Sequence, residues 1–248
     1  MPVFEVMHMR VLITGGSEGI GYAFARYYAS KHAEVILVAR REELLKKAAN
    51  QLKQEYECSV SYIVSDLSVR GSALNVYRQV RDIDVLINNA GFGFQGKSWD
   101  IPLDKEEDMI MVNCMAVMDL TRLYIKDMIN KRKGRIINLC STGAFQSGPY
   151  IAGYYASKSF VLNYTRAIRE EVKDYGIHVS ALCPGPVDTA FYDKSGGHMS
   201  MYHMSAEQVV KYTIRHQNQA VIIPGIGNKL MRIIPVSLRM KLLKVMKK

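Results

Sequence analysis

The chain alternates short runs of apolar, β-branched residues with longer segments in which apolar residues recur at helical spacing. The short runs predict strands at residues 10–14, 34–38, 59–64, 85–88, 135–139, 178–182 and 220–223. The longer segments predict helices at residues 20–31, 42–55, 72–80, 104–131, 152–174 and 205–216. Because a strict alternation of strand and helix is typical of right-handed βαβ units, we expect an α/β fold with a parallel, doubly wound sheet of seven strands flanked by helices.

Two helix boundaries carry signals of their own. Gly176 follows the fifth helix, where a glycine tolerates the left-handed conformation that ends many helices. Ser205 and Gln208 have the spacing of a capping box, which predicts the start of the sixth helix.

The composition indicates one intracellular domain. The 248 residues are 48% hydrophobic, and no Pro/Gly/Ser linker interrupts them, so we expect a single domain over residues 1–225. The four cysteines form no metal-ligand spacing, so we expect no metal site, small buried side chains and a reducing compartment: Cys58, Cys114, Cys140 and Cys183. Residues 1–10 lack the pattern of a signal peptide, and no apolar run reaches the roughly 18 residues of a membrane span, so we expect a cytoplasmic protein.

The positive charge is concentrated at the end of the sequence. The net charge is +10, but nine Lys and Arg residues and no acidic residue follow Glu207, so the preceding part carries only +1. Residues 226–248 are therefore interpreted as a basic tail with an amphipathic helix over 236–248, a candidate for peripheral contact with an anionic membrane surface. Packing on the domain or on a second subunit is the alternative. Binding of nucleic acid is disfavoured, because the tail lacks interleaved aromatic residues that would stack on bases.

A glycine-rich turn, Thr-Gly-Gly-Ser-Glu-Gly-Ile-Gly at 14–21, joins the first strand to the first helix. Glycines let the main chain approach a pyrophosphate, and the helix N-terminus offers N–H groups and a favourable dipole to it. The position in the first βα unit favours a Rossmann-type dinucleotide site over a plain turn. The residues predicted to bind the cofactor here are Gly15, Ser17, Glu18, Gly19, Ile20 and Gly21.

The end of the second strand indicates which dinucleotide is bound. Sites for NAD usually place a carboxylate there, whereas Arg40 and Arg41 occupy the position in this chain. A guanidinium suits the 2′-phosphate of NADP, so we predict NADP(H) as the cofactor, with Arg40 favoured over Arg41. A solvated charge pair at a helix start is the alternative.

Two further strand ends are predicted to line the adenosine side of the cofactor. Asp66 and Leu67 follow the third strand, and Asn89, Ala90 and Gly91 follow the fourth. Asp66 also suits a helix cap, and the two roles are compatible.

Tyr154 and Lys158 lie four residues apart on a predicted helix and therefore share one face. A tyrosine with an ordinary pKa near 10 is a poor acid–base catalyst at neutral pH, but a neighbouring ammonium favours the phenolate and lowers that pKa. Tyr155 points about 100° away from Tyr154 on an ideal helix, and the four-residue spacing to Lys158 selects Tyr154.

Taken together, these segments resemble the classical short-chain dehydrogenase/reductase family. The matching pieces occur in the family's order over about residues 10–225: TGGSEGIG at 14–21, NNAG at 88–91, Asn113, Ser141, YYASK at 154–158 and PGPVDT at 184–189. The resemblance implies a Rossmann-type fold, a small-molecule substrate and assembly as a homodimer or homotetramer.

The resemblance also implies a role for each matched residue. Tyr154 would protonate the substrate oxygen, and Lys158 would bind the nicotinamide ribose and lower the pKa of Tyr154. Ser141 would donate a hydrogen bond to the same oxygen, and Asn113 would hold a water in a proton relay behind Lys158. Asn88 and Gly91 would flank the cofactor, and four residues would contact the nicotinamide: Pro184, Gly185, Val187 and Thr189.

Residues 190–204 would form a substrate lid by the same resemblance. Their methionines and aromatic residues suit a sizeable apolar substrate, and ordinary core packing is the alternative. The sequence thus predicts an NADP(H)-dependent oxidoreductase that interconverts a ketone or aldehyde and an alcohol, with no metal. Two alternatives stay open: an NADP-binding regulatory or scaffold protein without turnover, and an adaptor whose active part is the basic tail.

Overall fold

The computed structural model describes residues 9–189, 203–230 and 234–246. Its strands are β1 (Arg10–Thr14), β2 (Glu34–Ala39), β3 (Val60–Val64), β4 (Val85–Asn88), β5 (Gly134–Leu139), β6 (Ile177–Leu182), β7 (Val187–Asp188), β8 (Met204–Ser205) and β9 (Val221–Ile222). Seven of these form one parallel sheet in the order β3-β2-β1-β4-β5-β6-β9, and β7 pairs with β8. The predicted seven-stranded α/β sheet is confirmed.

The sheet is buried on both faces, which explains why its central strands are continuously apolar. In β1, Leu12 and Ile13 point to opposite sides because side chains alternate along a strand. Ile13 belongs to the core cluster that contains Phe24, and Leu12 belongs to the cluster that contains Tyr124. All four side chains are fully buried, so helices cover both faces as the doubly wound fold requires.

The described helices are α1 (Gly19–Ala29), α2 (Glu42–Tyr56), α3 (Ser72–Gln79), α4 (Leu103–Ile110), α5 (Val117–Lys131), α6 (Ala152–Val172), α7 (Ala206–Arg215), α8 (Ile226–Leu230) and α9 (Val236–Met246). The capping box at Ser205 and Gln208 is present at the start of α7. Gly176 has the expected left-handed conformation, with φ of 72°.

The helix predicted over 104–131 is present over residues 103–131, but it is not α-helical throughout. A π-helical turn (Met111–Ala116) separates α4 from α5. Such turns often mark functional sites, because the extra residue redirects side chains without breaking the helix. The fifth predicted helix also ends earlier, at Val172, and a short 3₁₀ segment (Lys173–Tyr175) precedes Gly176.

The predicted substrate lid at 190–204 lies almost entirely outside the described residues, except for His203 and for Met204 in β8. In the basic tail the predicted helix is present as α9. The domain division at residue 225 stays a prediction.

Candidate active site

The glycine-rich turn forms a close cradle between β1 and α1. Gly15 is left-handed, with φ of 63°, and its N–H donates to the Val38 carbonyl at 2.7 Å, which ties the turn to β2. A Cβ on Gly21 would overlap the carbonyl oxygen of Gly15. The turn therefore requires glycine at both positions, and it brings the N-terminal amides of α1 to the carboxyl edge of the sheet.

Hydrogen bonds join this turn to the segment after β4. The Thr14 hydroxyl oxygen accepts the N–H groups of Asn89 and Ala90, both at 3.0 Å. The Asn89 side-chain amide donates to the carbonyls of Thr14 at 3.0 Å and Gly15 at 3.1 Å. Asn89 thus holds the glycine-rich turn in place, and sequence reasoning missed the matching part played by Thr14.

The side chain of Asn88 is directed into the core. Its amide donates to Asn138 Oδ1 at 2.8 Å and to the Thr121 hydroxyl at 3.1 Å, and Asn138 in turn donates to the Thr165 hydroxyl at 3.0 Å. This buried chain links β4, β5, α5 and α6. Only the main chain of Asn88 could therefore flank a cofactor.

The two arginines after β2 have different surroundings. Arg40 is exposed at the strand end, whereas Arg41 forms an ion pair with Glu18 of the glycine-rich turn. Arg40 is therefore a better candidate than Arg41 to bind a 2′-phosphate.

Asp66 and Leu67 follow β3. Asp66 Oδ1 accepts from both the N–H and the hydroxyl of Ser68, each at 2.9 Å, and so stabilises the turn after β3. The alternative role as a helix cap is wrong, because α3 begins only at Ser72 and has Gly71 at its N-cap. Leu67 is buried against Val112 of the π-helical turn, in a cluster that also includes Ala90.

Lys158 lies at the centre of the site. Its side chain is 3% exposed, and its ammonium donates to the Leu139 carbonyl at the end of β5 at 2.8 Å. The same Nζ lies 5.7 Å from the centroid of the Tyr154 ring. Burial lowers the pKa of Lys158, and nearby thiols oppose that shift: Cys140, Cys114 and Cys183.

Asn113 lies in the π-helical turn and is fully buried. Its amide donates to the Phe92 carbonyl at 2.9 Å and to the Ser157 hydroxyl at 3.0 Å, and its Oδ1 accepts the Phe92 N–H at 3.1 Å. A Cβ on Gly91 would lie 2.9 Å from Asn113 Oδ1 and 3.3 Å from Lys158 Nζ. The structure therefore brings Asn113, Lys158 and Gly91 together.

Tyr154 and Tyr155 occupy different environments. The ring of Tyr154 lies against Gly93, where a Cβ would be 2.7 Å from Tyr154 Cδ2. The ring of Tyr155 packs on Gly143 and Gly148, and its burial raises its pKa. Tyr155 thus supports the segment after β5, while Tyr154 faces the strand end next to Lys158.

Ser141 precedes a 3₁₀ turn (Thr142–Phe145), and its Oγ accepts the Gly143 N–H at 3.0 Å. The Thr142 N–H donates to the Pro184 carbonyl at 2.9 Å, which joins this turn to the segment after β6.

The segment after β6 is the last part of the predicted nicotinamide site. Pro184 is buried where β6 ends, and Val187 is buried in β7. The Thr189 methyl group would lie 3.1 Å from a Cβ on Gly19, so the segment approaches the glycine-rich turn. A Cβ on Gly185 would overlap Asn228 Oδ1 of α8.

A family model described as "short chain dehydrogenase" matches residues 9–199. The chain belongs to the short-chain dehydrogenase family. Among curated relatives, this short-chain dehydrogenase is 34% identical over 188 residues to a very-long-chain 3-oxoacyl-CoA reductase of Anas platyrhynchos, covering 72% of this chain and 59% of that protein. It is 37% identical over 190 residues to an NADP-dependent 3-hydroxy acid dehydrogenase of Schizosaccharomyces pombe, covering 73% of this chain and 72% of that protein.

The solved structures include a short-chain dehydrogenase from Sphingobium yanoikuyae in complex with NADPH. It is 26% identical to this chain, with a TM-score of 0.85, and the match covers 95% of each chain. The likeness over nearly the whole length confirms the fold of the dehydrogenase. The chain spans only about three fifths of the Anas platyrhynchos relative, so activity and substrate are proposals below.

Several residues of this short-chain dehydrogenase site were missed by sequence reasoning. Thr14 was visible next to the glycines, but nothing in the sequence paired its hydroxyl with residues 89 and 90. Gly93 was visible only as a second glycine after Gly91, which did not indicate its contact with the ring of Tyr154. Asn228 lies over 40 residues after Gly185, and a contact at that separation has no local signal.

Within the described part of the dehydrogenase, no helix is long and apolar enough to cross a membrane. The same residues contain no group of three or more His, Cys, Asp and Glu side chains that could hold a metal ion.

Proposed function

We propose that this short-chain dehydrogenase is an NADP(H)-dependent oxidoreductase that interconverts a ketone or aldehyde and an alcohol. The observation that carries the proposal is the convergence of Lys158 Nζ and Asn113 Oδ1 beside Gly91, with the Tyr154 ring on the adjacent Gly93. Groups that hold and move a proton are thereby gathered at the carboxyl edge of the sheet, where ligands of doubly wound folds bind.

The residues present fit a dinucleotide. Gly15 and Gly21 let the turn pack closely on Asn89, where a Cβ at either position would collide, and the N-terminus of α1 suits a pyrophosphate. Arg40 is available for a 2′-phosphate, while Glu18 already neutralises Arg41. The printed names of the Schizosaccharomyces pombe relative and of the Sphingobium yanoikuyae complex agree with NADP(H). A bound nicotinamide would supply or accept the hydride.

The proton chemistry would belong to Tyr154 and Ser141. In the reductive direction, the Tyr154 hydroxyl gives its proton to the substrate oxygen as negative charge develops there. Ser141 Oγ already accepts a hydrogen bond from Gly143, so its own hydrogen can be directed to the same oxygen. Two hydrogen-bond donors would then stabilise the alkoxide, and the reaction requires no metal.

Lys158 and Asn113 would position Tyr154 and help to return a proton to it after each turnover. The Lys158 ammonium lies close enough to Tyr154 to favour its phenolate form and to bind a ribose hydroxyl. Both amide hydrogens of Asn113 are occupied by Phe92 and Ser157, so a relay water would be bound by its main-chain carbonyl in the π-helical turn.

We also propose an assembly and a membrane contact for the whole protein. Met115 and Phe160 are partly exposed on the π-helical turn and α6, which favours pairing of these faces in a homodimer or homotetramer. Exposed Ile226 and Leu230 lie beside Lys229 on α8, which favours peripheral contact with an anionic membrane surface. An apolar substrate and a cytoplasmic location complete the proposal.

The test is a titration of the purified chain with NADPH and NADH, followed by a turnover screen of apolar ketones and aldehydes. We expect tighter binding of NADPH, turnover by the wild type, and a loss of at least about 100-fold in Tyr154→Phe. Tyr155→Phe is the matched control and should keep its turnover. Binding of NADPH without turnover would favour the regulatory alternative, and equal binding of both nucleotides would remove the role of Arg40.

A further inference from the structure

The two C-terminal helices contact both segments that flank the reacting position. In α8, Asn228 lies against Gly185 of the segment after β6. In α9, Arg239 donates from Nη2 to the Phe145 carbonyl at the end of the 3₁₀ turn that follows Ser141. These segments are joined by the bond from Thr142 to Pro184. Both helices therefore contact the segments that follow β5 and β6.

Arg239 is buried without adequate partners. Its side chain is 7% exposed, and the contact with Phe145 is long, at 3.4 Å. Its Nε is buried and has no hydrogen-bond partner, and no carboxylate pairs with it in the described part of the chain. The guanidinium has five N–H donors, and the one on Nε is buried with no acceptor.

Other arginines of the fold are better satisfied. The guanidinium of Arg169 donates to the carbonyls of Val179 at 2.8 Å and Asn218 at 2.7 Å. Arg26 also has an orphaned Nε, but its Nη2 pairs with Glu55 at 2.8 Å. Arg239 is thus the more deeply buried and the more poorly compensated charge.

A buried charge without a partner costs free energy, and a bound anion would offset that cost. A guanidinium binds a carboxylate or a phosphate through two parallel hydrogen bonds. We propose that Arg239 binds an anionic group, a carboxylate or a phosphate, that the substrate carries. This inference rests on the proposed function, because it assigns the anion to the substrate of the same site.

The position of Arg239 argues for the substrate over the cofactor. The cradle for a pyrophosphate lies after β1, whereas Phe145 and Gly185 follow β5 and β6, on the other half of the sheet. Phe145 is four residues beyond Ser141, which at the rise of a 3₁₀ helix is about 8 Å. The substrate would therefore carry its anionic group several bonds from the reacting carbonyl.

The experiment measures binding of three probes to the full chain loaded with NADPH: octanoate, octyl phosphate and octanol. Isothermal titration gives the dissociation constants and needs no turnover. We expect at least one of the two anions to bind the wild type about 10-fold more tightly than octanol. A preference for octanoate or for octyl phosphate identifies the source of the negative charge.

Arg239→Gln should abolish the preference for the anion and leave the affinity for octanol unchanged. Arg239→Lys keeps the charge without the planar fork, so it should retain part of the preference even if Arg239→Gln does not fold. Lys241→Gln, which removes an exposed charge from the same helix, is the matched control and should behave as the wild type.

Two results would overturn the inference. One is that the wild type binds octanol and both anions with equal affinity. The other is that Arg239→Gln loses affinity for all three probes in parallel, which would show that Arg239 has only a structural role. Binding of NADPH and turnover of a neutral ketone are measured on the same samples. If these persist, the proposed function stands although the anion site is rejected.

Discussion

At the scale of single residues, Gly91 is a position where one methyl group would perturb two polar groups of the site at once. Gly91→Ala would place a Cβ 2.9 Å from Asn113 Oδ1 and 3.3 Å from Lys158 Nζ. Because small displacements of catalytic groups are costly, we expect kcat to fall about 10-fold to 100-fold. Steady-state kinetics with a reducible ketone checks this.

Gly227→Ala is the matched control for Gly91→Ala, since no described atom lies within 4 Å of the added Cβ. It should keep the wild-type kcat. If Gly91→Ala were as active as this control, the close convergence beside Gly91 would have no part in turnover.

The free energy of unfolding should depend on pH because of Lys158. Burial lowers the pKa of Lys158 below its ordinary value of 10.5, so the unfolded chain binds this proton more tightly than the folded chain. The free energy of unfolding therefore increases as the pH rises from the folded pKa towards 10.5. Lys158→Met has no such group, so the wild type should gain stability relative to this variant as the pH rises.

Urea unfolding of the wild type and Lys158→Met between pH 7 and pH 10 measures this difference, and turnover of the variant should fall at least about 100-fold. Lys241→Met removes an exposed lysine and serves as the control, with a smaller change in the difference. Parallel stability curves for the wild type and Lys158→Met would contradict the prediction.

The sequence predicted individual site residues where a motif combined residue type with spacing. Tyr154 and Lys158 were predicted in this way and Asn113 from the family resemblance, and the structure places Lys158 near both of the others. Contacts between residues that are far apart in the sequence could not be predicted. The ion pair of Arg41 with Glu18, for example, spans 23 residues and depends on the packing of two βα turns. The part of Asn88 in a buried amide chain was hidden for the same reason.

At the scale of elements, the side chain of Asn113 ties the π-helical turn to neighbouring segments. Asn113→Ala would remove three hydrogen bonds, two to the main chain of Phe92 and one to Ser157. Since the partners are buried, we expect the free energy of unfolding to fall by about 2–4 kcal/mol. We also expect kcat to fall more than about 10-fold well below the melting temperature, with little change in the KM for NADPH.

Asn163→Ala is the control for this change, because Asn163 is an exposed residue of α6 with a single bond to the Ser159 carbonyl. Thermal unfolding and kinetics of both variants are compared. A less stable Asn113→Ala enzyme with a normal kcat would limit Asn113 to a structural part.

The π-helical turn also shows where periodicity fails. One extra residue in a segment of 28 barely disturbs the apolar pattern, so a single helix over 104–131 was the natural prediction. Within this turn Asn113 bonds to the main chain of Phe92, a tertiary contact that no local pattern records. Helix ends with side-chain caps, such as Ser205 with Gln208, were predictable because their signals are local.

At the scale of the whole molecule, charge and exposed apolar surface coincide at the C-terminal end. Ile226 is 78% exposed and Leu230 is 57% exposed, in a region with no acidic residue. We expect the full chain to co-sediment with vesicles of phosphatidylcholine and phosphatidylserine, and to do so less with phosphatidylcholine alone or at high salt.

Lys229→Glu with Lys241→Glu should reduce the bound fraction several-fold while turnover of a soluble ketone is retained. Lys105→Glu, an exposed lysine on α4, is the control and should bind as the wild type. Equal binding of all three proteins would place the contact elsewhere.

The architecture was predictable because buried parallel strands leave continuous apolar runs, and strict alternation with helices leaves few topologies. The contacts of α8 and α9 with the segments after β5 and β6 were not predictable. Asn228 and Arg239 reach loops 43 and 94 residues earlier in the chain, and such contacts follow from the completed packing.

The hydroxyl of Thr14 has a consequence for the timing of motion at the cofactor site. Because it accepts the amides of Asn89 and Ala90 together, those two hydrogens should exchange with solvent at one shared, slow rate. Both loops would then open in a single cooperative event. A dinucleotide would meet a surface whose ordering was completed when the chain folded, so its arrival would add little further protection at these two amides.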